Sequence, residues 1–490
     1  MDSTNLSAPM IAELGAHFTA ALSAAGPQLL QQDLAGLEQD LQRLSRQVFG
    51  RVVEAVVAAC ATQASAEQPG CPRCGRALRL VDRQRPRQLV GLVGDDTLRR
   101  PYFVGDGCHQ GRTPLDEALG LSRGSLSPGL GRVACRLGSE TSCGQSAELL
   151  AETLGVRVPA EAVRRLTEGV GTVAEGAAQA VIGQAQAGHI PPTGTPPAGT
   201  ALLVEADGAM VHLEDDWHEV TVGLAAPLGP QRARDPETQR ARRVVGAPVY
   251  CAGFEPAEAF WTRLYGTGCR QGLGSPALAL VVVLGDGARF LTIGAVELVE
   301  IVDLYHAWEH LGTVAQAVFG AGSAAATAWL TPLKAALRDD GVLPVLATLQ
   351  ALAPPEATAA DEVRTALGYV PTHAARMDYP AFVARGLPIG SGAVESGCTT
   401  LIAAREKGAG MRGSAAGAQA VATLRAVARS GDWAAFWATP PPCRRPAVFP
   451  RPPRDHPAPH PPSVTTSCSP PNHNAEGNAE GHPPRPVWLP

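Results

Sequence analysis

The chain has 490 residues, 45% of them apolar, a mean hydropathy near zero and a formal net charge of −5. That length accommodates two to four domains with a substantial core, and the overall charge by itself points to no polyanionic partner. No run of about 18 apolar residues occurs, so no membrane span is expected, while an unremarkable Met1–Thr4 start and eleven scattered cysteines argue for a reducing cytoplasm without a disulfide framework.

Residues 10–64 read as helical, with Leu37, Leu41, Leu44, Val48 and Val52 recurring at three- and four-residue steps. From Cys71 to Phe103 the pattern shortens to the strand-like pieces "RALRLV", "RQLVGLV" and "TLRRPYF". Eight arginines (73, 76, 79, 83, 85, 87, 99 and 100) face three aspartates between Cys71 and Arg100, a local excess of five positive charges. Such a patch suits a phosphate-facing surface, and equally a solvated strand face. Residues 127–187 return to helix. Within them "SAELLAETLGVRVPAEAVRRLTEGVG" reads as helix, turn at Gly155, and a second helix opening near Pro159 and carrying Arg164 and Arg165. That pattern fits a helix-turn-helix whose second helix enters a DNA groove, or a helical hairpin that only packs against the core.

A Pro/Gly/Thr-rich linker at 191–200 marks a change of character. "TALLVEADGAMVHL", "HEVTVGLAA", "VVGAPVYCAGF" and "ALALVVVLGDGA" then read as strands of one sheet, followed by the short strand "VEIVDLYH". Residues 307–385 and 393–437 are mostly helical. Beyond Thr439, 17 of the last 51 residues are proline, and the segment reads as a disordered tail.

Three carboxylates stand out. "VEADGA" and "VVLGDGA" each run an apolar strand into Asp-Gly-Ala, at Asp207 and Asp286. The sheet would fix each aspartate and the glycine would allow close approach. In "GLPIGSGAVESGCTTLIAAREKGAGMRGS", Ser391 is placed to cap a helix whose first turn holds Glu395, with Arg405, Lys407 and Arg412 following to neutralise phosphate. Two divalent cations held by such hard oxygen ligands activate water and stabilise a leaving oxygen in phosphodiester cleavage. Each piece alone also has a plain reading as a turn or a capped helix. Glu205 shares the strand face of Asp207 and is expected near the site without binding metal.

Taken together, Asp207–Gly223 with its "WHEVTVG", Gly285–Ala288, "VDLYHAWEHL" at Val302–Leu311, and Pro388–Arg412 resemble the DDE transposases of bacterial insertion sequences, nearest to the ISKra-type family. The resemblance extends from about Cys71 to Trp437. It implies an RNase H-like core, a mixed sheet with helices and an all-helical insertion between the second and third acids. It also implies Asp207, Asp286 and Glu395 as ligands of two Mg²⁺ or Mn²⁺ ions, DNA as partner (terminal inverted repeats and target), and a homo-oligomer on DNA in a nucleoid-associated, cytoplasmic setting. Asp303 and His306 form a D-x-x-H signature that resembles one shared with mutator-like elements, and it is expected to support the site structurally ahead of binding metal.

Cys71-Pro-Arg-Cys74-Gly75 forms half of a zinc knuckle, with Arg73 and Arg76 as candidate DNA contacts. The family supplies a second Cys pair; here Cys108 matches its second member, Gly105 stands at its first, and His109 is the candidate substitute for the fourth zinc ligand. Gly413 likewise replaces a family tryptophan. These two departures favour a rival reading, a domesticated DNA-binding derivative that no longer cuts; an RNase H-like nuclease without strand transfer is the other. The expected organisation is a multidomain α/β chain. It comprises a helical region 1–66, a zinc-ribbon-like DNA-binding domain 67–122, a helical region 123–190, the linker 191–200, a catalytic domain 201–438 with its helical insertion at about 312–385, and the tail 439–490.

Overall fold

Helix α1 (Ala8–Leu29) packs on α2 (Leu34–Ala64), and α2 in turn lies on a three-stranded sheet, where Leu44 and Val57 are buried. The computed structural model describes residues 8–64, 69–107, 109–121, 124–186, 193–285, 297–352, 360–408 and 411–438. The small sheet comprises β1 (Arg79–Val90), β2 (Asp95–Val104) and β3 (Gly111–Arg112) in antiparallel order, followed by α3 (Pro114–Ala118). Helices α4 (Pro128–Glu140) and α5 (Cys143–Leu154) begin at Ser127 and Ser142, whose hydroxyls accept the N–H groups of Leu130 and Gln145. Gly155 closes α5 in the left-handed conformation, φ 62°, before α6 (Ala160–Gln186) starts.

The larger sheet is mixed and six-stranded. Antiparallel β4 (Thr200–His212) and β5 (Trp217–Arg234) form its spine; β6 (Ala241–Val245) and β7 (Val249–Gly253) both pair with β5. The segment expected as one strand, "VVGAPVYCAGF", is therefore divided: the Gly246 N–H turns to the Pro227 carbonyl and Pro248 cannot donate to a ladder. After α7 (Ala257–Cys269), β8 (Leu278–Gly285) and β9 (Glu297–Val302) add in parallel on the other side of β4, giving the order β6-β5-β4-β8-β9. Helices α8 (Leu304–Phe319), α9 (Ala324–Asp339), α10 (Val342–Gln350), α11 (Ala360–His373) and α12 (Tyr379–Ala384) follow. The chain then enters α13 (Gly392–Gly397), a π-helical turn (Cys398–Ala403), α14 (Ala404–Glu406), α15 (Ala415–Arg429) and α16 (Trp433–Ala438).

Side-chain alternation along β4 decides how these helices cover the sheet. Leu202, Val204 and Ala206 point to one face and pack with Phe260 and Leu264 of α7. On the opposite face, Ala201 and Leu203 pack under α8, α9, α10 and α12, whereas Ala209 and Val211 pack under α13, the π-turn and α15. Glu205 and Asp207 fall between those two covers. The polar pair thus occupies the seam between two apolar clusters on one sheet face.

All described residues belong to one compact unit, Met1–Arg444. Helix α6 is built into it, packing on α4, α5, α7 and α15. At Gly171 its backbone meets α15 so closely that a Cβ there would lie 2.3 Å from the Ala420 carbonyl oxygen. Arg425, fully buried, donates to the carbonyls of Leu401, Thr400 and Ser139 and to the Glu140 carboxylate, tying α15 and the π-turn to α4. Among the described residues, no helix is long and apolar enough to cross a membrane. The Pro-rich tail and the 191–192 part of the linker lie outside the described residues.

Candidate active site

Asp207 does not end its strand, as the sequence led us to expect. On the β5 side the ladder continues from Asp207↔Val222 to His212↔Trp217, because β4 and β5 form a long hairpin. On the β8 side the last pair among the described residues is Glu205↔Leu284, with β8 described as far as Gly285. Asp207 is therefore mid-strand towards β5, with its side chain half-buried in the seam. Gly208 is also part of the strand and not a turn. A Cβ there would lie 2.2 Å from Glu219 Oε1, so the Glu219 side chain crosses over it.

Burial pushes the Asp207 carboxyl above its usual range. The Gly208 N–H, 2.8 Å from Oδ1, and the His306 charge pull it back, while the negative charges of Glu395 and Asp303 raise it further. These four groups consequently share one electrostatic environment. Cys398 Sγ lies 3.9 Å from Asp207 Oδ2, and burial pushes that thiol up to about 12.

Glu395 sits in α13 with its side chain exposed, one oxygen accepting the Ser391 hydroxyl at 2.8 Å. Ser391 occupies the expected cap position but its hydroxyl makes no bond to a helix amide, because it is turned to Glu395 instead. The loop before α13 is held from below. Asp303, fully buried, accepts the Ser391 N–H through Oδ2 and the N–H groups of Tyr305 and His306 through Oδ1. Its own N–H donates to the Gly285 carbonyl at 3.1 Å. Asp303 thus caps α8 and joins the end of β8 to the loop carrying Glu395. Asp286, the next residue after Gly285, lies outside the described residues.

Glu205 plays a part that sequence reasoning missed. It is 1% exposed, and its Oε2 accepts the Val394 N–H at 2.9 Å, one residue before Glu395. Its Oε1 is buried without a hydrogen-bond partner among the described residues. Burial pushes this carboxyl up to about 8; the Val394 N–H and the Arg242 charge oppose the rise, and Asp303 and Glu395 add to it. The period-two spacing to Asp207 was the only available signal.

The basic residues after Glu395 divide. Lys407 and Arg412 are exposed, and Lys407 is near enough to Cys398 to oppose the rise in its pKa. Arg405 turns inward, donating to the Gly138 carbonyl at 3.1 Å and to Met411 Sδ at 3.1 Å, so its guanidinium braces α4 and is not presented to a phosphate. His306 is partly exposed, with Nδ1 3.4 Å from Glu309. On α6, Arg164 bonds Glu161 and Glu168, and Arg165 bonds Glu161, so both guanidiniums are paired along their own helix.

In the small-sheet region, two turns share one hydrogen-bond pattern. Cys71 N–H donates to the Arg76 carbonyl and Gly75 N–H to the Cys71 carbonyl; Gly105 N–H donates to Gln110 and His109 N–H to Gly105. Gly75 and His109 both take positive φ, 70° and 51°. Gly105 therefore corresponds in position to Cys71 and His109 to Gly75. The Arg73 N–H points at Cys71 Sγ at 3.4 Å, the arrangement a thiolate ligand needs, and Cys71 is buried with Leu78 and Phe103. Cys74 is exposed, as are Arg73 and Arg76. Cys108 lies outside the described residues.

Among the described residues, no group of three or more His, Cys, Asp or Glu side chains is arranged to hold a metal ion. Each expected metal set has one member, Asp286 or Cys108, outside them. A Cβ at Gly413 would meet no atom within 4 Å among the described residues. No protein-family model matches the chain, and no curated protein matches it.

Proposed function

We propose that the chain is a DNA transposase of the DDE type, with an RNase H-like core and a zinc ribbon within 67–122. Its substrates would be the ends of its own insertion sequence and a target duplex, bound as a homo-oligomer. The observation that supports this best is the convergence of Asp207 and Glu395 at one seam of the sheet, with Asp303 joining the loop before Glu395 to the strand end before Asp286. All-oxygen donors of this kind fit hard divalent cations, and the partnerless Glu205 Oε1 beside them fits a site designed around further positive charge.

Asp207, Asp286 and Glu395 would hold two Mg²⁺ ions, with Mn²⁺ as a substitute. Bound there, the ions supply a water ionised at neutral pH and neutralise charge on the leaving oxygen. Ser391 orients the Glu395 carboxylate, Glu205 fixes the first turn of α13, and Asp303 holds both approaches to the site. Lys407 and Arg412 offer exposed positive charge to the flanking phosphates. In the first step, water oxygen attacks phosphorus and the 3′ oxygen leaves as a hydroxyl. In the second, that hydroxyl attacks a target phosphodiester and displaces its 3′ oxygen, so one bond breaks for each bond formed.

A pre-nicked duplex carrying the element's end, incubated with a supercoiled target and Mg²⁺, tests the joining step. Covalently joined product is expected; hydrolysed ends without joined product would identify a nuclease instead.

A further inference from the structure

Strand β5 overshoots its partner. Pairing with β4 ends at Ala201↔Leu228, and residues 229–234 continue against β6 alone, with register irregularities between Leu228 and Ala233. Such irregularities bend a two-stranded ribbon. The resulting arm is fastened at its base, where Gln231 Nε2 donates to the Arg385 carbonyl at 3.0 Å and the Arg243 N–H to Gly386 at 2.8 Å. Its tip is fastened as well, since Tyr305 donates its hydroxyl to Glu237 at 2.8 Å. Tyr305 in turn lies against Gly390, where a Cβ would be 2.8 Å from its ring. The arm therefore ends beside the loop that carries Glu395.

Residues 231–243 contain five arginines and two acids. Both acids are engaged by neighbouring groups, and Asp235 is buried. Asp235 is 5% exposed and accepts the N–H groups of Glu237 and Thr238, and Glu237 is engaged by Tyr305 with Arg338 3.8 Å away. Arg232, Arg234 and Arg240 are exposed, with no carboxylate ion pair among the described residues. What remains outward is a strip of positive charge, with the exposed Asp339 close enough to Arg240 to feel its charge, on a protein of net charge −5.

We propose that the β5–β6 arm is a clamp for the phosphate backbone of duplex DNA, in which Arg232, Arg234 and Arg240 each neutralise a phosphate of the duplex led to Asp207 and Glu395. The inference rests on the transposase reading for its choice of polyanion. It assigns the arm a positioning role without sequence preference, because guanidinium–phosphate contacts carry no base information.

The test compares the full chain with its Arg232→Ala/Arg234→Ala/Arg240→Ala variant. Binding to the element's end and to a random duplex is measured by fluorescence anisotropy across a salt series. Loss of three phosphate contacts flattens the slope of log K against log salt by about 2.7, equally for both duplexes. The triple lysine variant keeps most of the slope, and the alanine variant keeps its melting temperature to within a few degrees, because all three side chains are exposed and only the Arg234 bond to the Gln239 carbonyl is lost. An unchanged slope, or a loss confined to the end sequence, overturns the clamp. Nicking by an Asp207→Asn variant separates the two claims. If that variant nicks as well as the parent while the arm variant still flattens the slope, the catalytic reading fails and the clamp stands.

Discussion

Replacing Asp303 by alanine removes three hydrogen-bond acceptances at one stroke. Losing the cap over Tyr305 and His306 costs about 1 kcal/mol. The Ser391 N–H is then left buried without a partner, at a further cost of about 1–3 kcal/mol. Removing the charge also relieves repulsion on Glu205 and Asp207, both of which Asp303 pushes upward, and this offsets part of the loss. The two costs sum to about 2–4 kcal/mol and the offset brings the net expectation to about 1–3 kcal/mol by urea unfolding in metal-free buffer, with Asp303→Asn losing less because it retains an acceptor oxygen. Because the same carboxylate orders the loop before Glu395, nicking should fall even at temperatures where the variant is folded. An Asp303→Ala variant within about 0.5 kcal/mol of the parent would refute the view that this residue joins strand, helix and loop.

Two further outcomes follow from buried contacts. The Glu205 carboxyl, raised to about 8 by burial, holds its proton in the folded chain over a range where the unfolded chain has lost it. Its contribution to stability is thus full below about pH 4.5 and is lost as pH rises towards 8, so Glu205→Gln should gain on the parent between pH 6 and 8 by on the order of 2 kcal/mol. A pH-independent difference in urea midpoints would contradict that sign. Gly171→Ala should destabilise by about 1–3 kcal/mol, because its Cβ would lie 2.7 Å from that of Ala420 as well as against the backbone; an unchanged thermal midpoint would show that α6 and α15 can separate freely.

Much of this architecture is legible in local patterns. Val, Leu and Ala runs bounded by Gly or Pro give the strands of the larger sheet, and the helical stretch before Pro388 contains α8 to α12. The order Asp207, Asp286, Glu395 is visible because each follows a local signal, an apolar strand or a serine before a helix. What is not legible depends on partners far away in the chain. Nothing near Arg405 indicates that Gly138 will take its guanidinium, and nothing near Glu205 indicates that Val394 will supply its N–H. Asp207 reads as a strand end because Asp-Gly usually turns, yet the hairpin with β5 carries it onward. The sequence around Arg164 and Arg165 suits a groove-facing helix or a packing hairpin alike, and their pairing with Glu161 and Glu168 one helical turn away is visible only with the helix built.

On the proposed function Asp207 is a metal ligand, and nicking of supercoiled DNA carrying the element's end tests that assignment. In Mg²⁺ the parent should convert supercoiled to open-circular product, and Asp207→Asn should lower that rate by more than about 100-fold, beyond what loss of an outer partner costs. Equal rates for the two proteins, with the variant folded and still bound to DNA, would contradict the assignment.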